Sequence, residues 1–121
     1  MAKFVIIILL LFIPITSFAG DDWTKEDTMR EVVWGIIHVI DWGQTLEIAR
    51  QPNRYYEMNP ILGKHPSVGN VNLYMATSLI VHPMISYFLP KKYRKAWQYI
   101  SIGISGGCVI NNFNAHLKVK F

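Results

Sequence analysis

Two histidines and an aspartate mark the part of the chain whose side chains could do chemistry. His38 and Asp41 lie three residues apart, a spacing that places both on one face of an α-helix. His82 lies in a second apolar stretch, and an imidazole beside a carboxylate can exchange protons or bind a metal ion. Glu31, one heptad before His38, could complete such a site. Glu31, His38, Asp41 and His82 are therefore the weak candidates for metal ligands.

The more specific motifs of metal sites and catalytic sites are absent from the sequence. It contains no His-Glu-x-x-His or paired Cys-x-x-Cys motif, and its single cysteine, Cys108, lies in an apolar run. It also lacks a nucleophile elbow, a phosphate-binding glycine loop and a dinucleotide fingerprint. We therefore favour a hydrogen-bonded polar network with no metal, no cofactor and no enzymatic activity. The alternative is a small intramembrane hydrolase that uses Asp41 and His82 as an acid–base pair.

The first long helix is predicted to be apolar outside and polar toward its partners. Its polar line follows alternate steps of four and three residues: Asp27, Glu31, Trp34, His38, Asp41, Thr45 and Ile48. Valine and isoleucine cover most of the remaining circumference, although a soluble amphipathic helix with a wet polar face is the alternative. Thr24 and Asp27 have the spacing of a capping box, so the helix should begin there and end near Ala49.

Two further helices are predicted, at residues 71–89 and 94–113. The first contains no formal charge when His82 is neutral, which makes it the clearest candidate for a membrane span. The second follows a basic turn at 91–95 and contains Gly103 and Gly107, whose spacing lets a neighbouring helix approach closely. The connector at 51–70 is rich in turn formers but apolar enough to be an ordered loop, and the basic tail is expected to fray.

Each predicted helix carries a polar line on an otherwise apolar surface. Such side chains are costly in lipid unless they face protein or water, so the three lines should turn toward one another. The predicted interior contains seven polar side chains: His38, Asp41, Gln44, Thr45, His82, Asn111 and Asn112. The predicted fold class is an all-α, three-helix membrane bundle after an N-terminal signal segment.

The composition agrees with a membrane setting. The chain of 121 residues has room for one domain, is 51% hydrophobic and 17% charged, and has a mean hydropathy of +0.22. Its formal charge of +4 comes from short basic clusters beside apolar runs, which suits lipid headgroups better than nucleic acid. Residues 1–19 have the pattern of a signal peptide, and we expect cleavage after Ala19, which leaves one domain at 20–121; the alternative is an uncleaved anchor.

The block from Asp41 to Gly63 is specific enough to compare with known proteins. It contains Asp41-Trp42-Gly43-Gln44-Thr45 and Arg54-Tyr55-Tyr56-Glu57-Met58-Asn59-Pro60-Ile61-Leu62-Gly63, and the similarity continues through His65-Pro66-Ser67, His82 and Asn112. In these motifs the chain resembles a family of small uncharacterised membrane proteins of tailed phages, prophages and bacteria. The resemblance singles out Glu57, Asn59 and Pro60 as a loop motif. Where that family has a histidine beside an asparagine, this chain has Asn111-Asn112.

The resemblance implies a membrane setting and a phage or prophage origin, and it brings no established activity. The function expected from the sequence is therefore that of a small accessory protein, integral to a bacterial inner membrane and crossing it more than once. Its expected partners are the lipid bilayer and a host membrane protein or a second copy of itself, and not nucleic acid.

Overall fold

The computed structural model describes residues 23–121, which form three helices. They are α1 (Lys25–Arg50), α2 (Val68–Phe88) and α3 (Lys91–Asn114). Helix α1 packs against both others, and α2 and α3 contact each other much less. Cross-helix hydrogen bonds show that α2 runs antiparallel to α1 and that α3 runs parallel to it. The all-α, three-helix prediction is confirmed, while the predicted signal peptide lies outside the described residues.

The start of α1 is the predicted capping box. The Thr24 hydroxyl accepts a hydrogen bond from the Asp27 backbone N–H at 3.2 Å, and the Asp27 carboxylate accepts one from the Thr24 N–H at 2.9 Å. Two of the backbone donors that a helix leaves unpaired at its N-terminus are satisfied in this way. Gln51 ends the helix directly before Pro52, as expected from the restriction that proline places on its predecessor.

Helices α2 and α3 both begin earlier in the chain than the sequence predicts. Ser67 caps α2 by accepting a hydrogen bond from the Asn70 N–H at 3.1 Å, so the helix begins at Val68 rather than at residue 71. The segment 91–95, predicted to be a turn, is the first turn of α3. The extended backbone of Leu89 and Pro90 completes the chain reversal, which leaves Lys91 free to begin the next helix.

None of the three helices in residues 23–121 has both the length and the apolar character needed to cross a membrane. The predicted span at 71–89 is therefore unsupported. Its apolar side chains alternate with polar ones such as Asn72 and His82, which lower the mean hydropathy of α2.

The bundle is polar inside and apolar outside. Seven large apolar side chains are buried among the described residues, and three of them, Leu46, Val71 and Met75, form the apolar core cluster. Polar and charged side chains are buried in similar number: Asp27, His38, Gln44, Thr45, His82, Ser86, Arg94 and Gln98. Large apolar side chains on all three helices are exposed instead. The prediction that α1 is apolar outside and polar toward its partners is confirmed.

Two predictions about small structural features are wrong. The tail does not fray, because the Lys120 N–H donates to the Gly43 carbonyl at 3.3 Å and Arg50 donates to the Lys120 carbonyl at 2.8 Å. Gly103 and Gly107 do not meet a neighbouring helix, since a Cβ added at either would have nothing within 4 Å among the described residues. The glycine step lies on the outer surface of α3.

The contact of the tail with Gly43 predicts a stability difference between two alanine variants. A Cβ at Gly43 would lie 2.5 Å from Val119 Cγ1 and 3.0 Å from Phe121 Cε2, whereas one at Gly35 would meet nothing within 4 Å. Both substitutions gain the same helix propensity. Gly43→Ala should therefore be less stable than Gly35→Ala by about 1–3 kcal/mol in chemical unfolding, because of overpacking.

Removal of residues 119–121 provides the control for this comparison. In the shortened chain the two alanine variants should have equal free energies of unfolding. A difference of the original size in the shortened chain would contradict the packing of the tail on Gly43.

Candidate functional site

The polar interior is divided into two clusters along the bundle. The charged cluster lies near the turn between α2 and α3 and contains Asp27, Arg30, Glu31, His82, Ser86, Arg94, Trp97 and Gln98. The amide cluster lies toward the other end and contains Asp41, Gln44, Thr45 and Asn112. The seven predicted interior residues are therefore spread over both clusters and their surroundings.

A buried ion pair holds one end of the charged cluster. Arg94 Nη1 donates to Asp27 Oδ2 at 3.0 Å, and Arg30 pairs with the other oxygen of the same carboxylate. Burial alone would raise the pKa of Asp27, but hydrogen bonds from Thr24 and Arg94 hold that pKa below its usual value. The carboxylate is thus charged at neutral pH and links the start of α1 to α3.

Arg94 also fastens the end of α2. Its guanidinium donates to the backbone carbonyl of Ser86 at 2.7 Å and to those of Tyr87 and Leu89 at 3.2 Å each. These carbonyls lie in the last turn of α2, where a helix has acceptors without partners of its own. One side chain therefore joins all three helices.

Glu31 is the second buried carboxylate. It accepts hydrogen bonds from His82 Nδ1 at 3.0 Å, from Gln98 Nε2 at 3.1 Å and from the Ser86 hydroxyl. Burial would raise the pKa of Glu31, but the bonds from His82 and Ser86 bring it below its usual value. Since the carboxylate is ionised, the hydrogen between it and His82 resides on Nδ1.

The ring of His82 is held between two indoles. Its centroid lies 3.7 Å from that of Trp34 and 4.8 Å from that of Trp97, with interplanar angles of 9° and 25°. The Nε2 atom, on the ring edge away from Glu31, is buried and has no hydrogen-bond partner within residues 23–121. A buried polar atom without a partner is costly and calls for an explanation.

His38 has a different environment, although Trp34 stacks on both histidines. Its Nε2 donates to the Met75 carbonyl at 2.9 Å, which anchors α1 to the middle of α2. Burial lowers the pKa of His38, and the nearby His82 lowers it further, against the opposing effect of the Met75 carbonyl. His38 is therefore neutral at physiological pH and acts as a hydrogen-bond donor between helices.

The amide cluster is bound more loosely. Asn112 Nδ2 donates to Gln44 Oε1 at 3.2 Å and to Asp41 Oδ1 at 3.4 Å, and the Thr45 hydroxyl lies 3.4 Å from the same carboxylate oxygen. Burial raises the pKa of Asp41 to about 6, and the negative charge of Glu57 adds to the effect. The hydrogen bonds that Asp41 accepts from Thr45 and Asn112 are thus long, and no cation is paired with it among the described residues.

Two of the sequence-based placements need correction. Asn111 is exposed rather than interior, because the face of α3 toward α1 runs through Val109 and Asn112, and Asn111 lies to one side of it. Asp41 and His82 do not pair, since Asn112 and Thr45 contact the first and Glu31 contacts the second. The acid–base pair expected for a hydrolase is therefore not formed.

The loop motif shapes its own backbone. One oxygen of Glu57 accepts hydrogen bonds from the N–H groups of Met58 and Asn59 at 2.9 Å each, and Asn59 Oδ1 accepts one from the Ile61 N–H at 2.9 Å. Pro60 lies inside this turn. The motif fixes the conformation of the connector, and the nearby Leu62 packs on the apolar core.

Two clefts adjoin these clusters. The larger, of about 610 Å³, lies between α2 and α3 and is lined mainly by apolar side chains, with Trp34, His38, Asp41, His82 and Trp97 among the others. The smaller, of about 450 Å³, lies beneath the connector and includes Asp41, Glu57, Asn59, Pro60, Asn111 and Asn112. Asp41 lines both clefts, and the loop motif borders the smaller one.

The four weak metal candidates do not form a metal site. Within residues 23–121, no three histidine, cysteine, aspartate or glutamate side chains come together in a way that could hold an ion. Glu31 and His82 meet, but His38 is bonded to a backbone carbonyl and Asp41 belongs to the other cluster.

Comparisons with protein-family models, with curated proteins and with solved structures find no match.

The raised pKa of Asp41 predicts a pH dependence of stability that an asparagine would remove. The folded state holds the Asp41 proton more tightly than the unfolded chain, which has the ordinary value of 3.8. The protonated Asp41 therefore stabilises the folded state by about 2–3 kcal/mol. This stabilisation is fully present below pH 3.8 and is lost as the pH rises through about 6.

Asp41→Asn keeps an oxygen for Asn112 and Thr45 and removes the charge. The difference in unfolding free energy between Asp41→Asn and the wild type should shift in favour of the variant by about 2–3 kcal/mol between pH 4 and pH 7.5. Denaturant titrations at several pH values measure it, with the exposed Glu26→Gln as the control. A difference that does not change with pH would show that Asp41 is solvated.

Proposed function

We propose that the protein is a small accessory protein of a bacterial inner membrane, of phage or prophage origin, which contacts lipid through its outer surface and has no enzymatic activity. The observation that carries the proposal is the inverted bundle, whose charged and amide groups are inside and whose aliphatic side chains are outside. Water solvates such a surface poorly, whereas acyl chains solvate it well.

The outer surface has an apolar belt on all three helices. Ile36 of α1 is 57% exposed, Leu73 of α2 is 69% exposed and Ile104 of α3 is 66% exposed. Other large apolar side chains extend the belt: Val32, Val33, Val39, Val81, Met84, Ile85, Phe88, Ile100 and Ile110. So many exposed large apolar side chains on a small domain indicate an interaction surface.

Charges are excluded from the belt. The sequence contains no acidic or basic side chain between Lys64 and Lys91, or between Lys95 and Lys118. In α1, Asp41 and Glu47 are the charged residues between Glu31 and Arg50, and neither is exposed. This distribution supports lipid as the solvent of the belt, because an exposed charge there would lose its hydration.

Basic residues lie at both ends of the bundle. Lys91, Lys92 and Lys95 are exposed at the end where α2 meets α3, and Arg50, Arg54 and Lys118 are exposed at the other. Lysine and arginine beside an apolar surface bind anionic headgroups. A bundle can contact lipid through the outer faces of its helices even when their inner faces are polar. The proposal therefore concerns the surface of the assembled bundle and does not require that any single helix be apolar on all sides.

An intramembrane hydrolase has less support. Its proposed pair, Asp41 and His82, is not formed, and His82 Nε2 contacts no hydroxyl or thiol among the described residues. Binding thus accounts for more of the arrangement than catalysis does. The resemblance to phage and prophage membrane proteins supports the setting and origin in the proposal.

The proposal predicts that one acidic side chain in the belt weakens membrane attachment. Ile36 is exposed in the centre of the belt on α1, so Ile36→Glu should preserve the fold and place a charge in lipid at a cost of about 2–3 kcal/mol. Flotation with vesicles that contain anionic lipid should show wild-type protein in the lipid fraction and a markedly smaller share of Ile36→Glu.

The matched control is Asn53→Glu, which introduces the same charge at an exposed position of the connector. It should float like the wild type. Wild-type protein that stays with the aqueous fraction, or an Ile36→Glu variant that floats as well as Asn53→Glu, would contradict the proposal.

A further inference from the structure

His82 lines the cleft between α2 and α3, and one hydrogen-bonding atom of its ring is unused among the described residues. His82 is 6% exposed, and the atom without a partner within residues 23–121 is Nε2. The neighbouring polar atoms of the charged cluster are all bonded, including those of Glu31, Ser86 and Gln98. An isolated gap in an otherwise satisfied network indicates a place for a ligand group.

The surroundings of His82 hold its ring in place. Glu31 fixes the Nδ1 edge, and Trp34 and Trp97 cover the two ring faces, so the imidazole cannot rotate without the loss of all three contacts. Since Nδ1 carries the hydrogen that Glu31 accepts, Nε2 is an acceptor when the ring is neutral and a donor when it is protonated. A hydroxyl group fits both states, because it can donate and accept.

The rest of the cleft is suited to a hydrocarbon chain. Side chains of Leu73, Val81 and Ile85 on α2 face those of Ile104 and Cys108 on α3 across a volume of about 610 Å³. This volume lies in the range of small-molecule sites, which combine apolar walls with a few polar groups. Asp41 of α1 is the one charged side chain that lines the cleft and no lysine or arginine does, so an anionic head group would lack a counter-ion there.

From these contacts we infer that the cleft binds an apolar-chain molecule whose hydroxyl group hydrogen-bonds to His82 Nε2. The site shares Leu73, Val81, Ile85 and Ile104 with the apolar belt, and it goes beyond the proposed membrane contact through the hydrogen bond to His82, which contact with lipid acyl chains does not require. Two sources have this chemistry: a free fatty alcohol, and a membrane lipid with a free hydroxyl group such as a diacylglycerol. Both present the same chemistry to the histidine and differ in the number of chains.

The test uses two isomers that differ only in the hydrogen-bond donor. Full-length protein is purified in a detergent that has no hydroxyl group and titrated by calorimetry with 1-octanol or with 1-methoxyheptane. We expect 1-octanol to bind about tenfold more tightly, the effect of one hydrogen bond to a buried polar group. The ¹⁵N resonance of His82 Nε2 should move only with the alcohol. Equal affinities and an unmoved resonance would overturn the inference.

Substitutions then locate the site. His82→Asn retains an amide N–H for Glu31 and removes the group at Nε2, so the preference for the alcohol should disappear. Ile104→Trp fills the cleft and should lower affinity about tenfold, whereas Ile100→Trp, one turn earlier on α3 and outside the cleft lining, should not. This pair keeps the test decisive if His82→Asn does not fold, and equal affinities for the two tryptophan variants would overturn the proposed location.

A third titration with 1,2-dioctanoylglycerol distinguishes the two sources. Tighter binding of the diacylglycerol than of 1-octanol would assign the site to a two-chain lipid, and the reverse order would assign it to a single-chain alcohol. No binding of either compound would overturn the inference. The flotation of wild-type protein does not depend on this outcome, so the two proposals can fail separately.

Discussion

The Asp27–Arg94 ion pair is the interaction on which the arrangement of the three helices depends. Asp27 belongs to the capping box of α1, and Arg94 reaches from α3 to the last carbonyls of α2, so the pair lies where all three helices meet. A buried ion pair is not a strong source of net stability, but removal of one partner leaves an uncompensated charge. The pair therefore specifies how the helices are arranged more than it stabilises them.

The charged cluster extends this constraint into the bundle. Glu31 joins α1 to both other helices through His82 and Gln98, and two turns further along α1, His38 binds the Met75 carbonyl. The apolar core of Leu46, Val71 and Met75 is small beside these contacts. Polar groups that cannot reach water inside the bundle must find one another, which leaves the aliphatic side chains for the outer surface. The proposed lipid contact follows from this division.

Helix periodicity was sufficient to predict the all-α, three-helix architecture and the polar line of α1. The spacing of Asp27, Glu31 and His38 depends only on the local geometry of a helix, and the capping box at Thr24 is local too. The pairing of these side chains was not predictable, because it depends on the rotation and axial shift of α2 and α3. His82 is hydrogen-bonded to Glu31, whereas the sequence suggested Asp41 as the partner of His82.

Other features were missed although a signal for them was present. Arg94 and Gln98 lie four residues apart and form the polar line of α3 at its start, but the basic cluster at 91–95 made this segment look like a turn. The docking of the tail on Gly43 has no comparable signal, because it requires the tertiary position of the last five residues. The apolar surface of α3 was predicted to pack on a helix through Gly103 and is exposed instead.

The apolar belt distinguishes this account from that of an ordinary soluble bundle, and its environment can be measured directly. Nitroxide labels at Ile36, Leu73 and Ile104, introduced one at a time in a Cys108→Ala background, report collisions with oxygen and with a water-soluble nickel chelate in vesicles. Labels at the three belt positions should collide more with oxygen, which concentrates in lipid, and a label at Asn53 should collide more with the chelate. Belt labels that are as accessible to the chelate as the one at Asn53 would contradict the account.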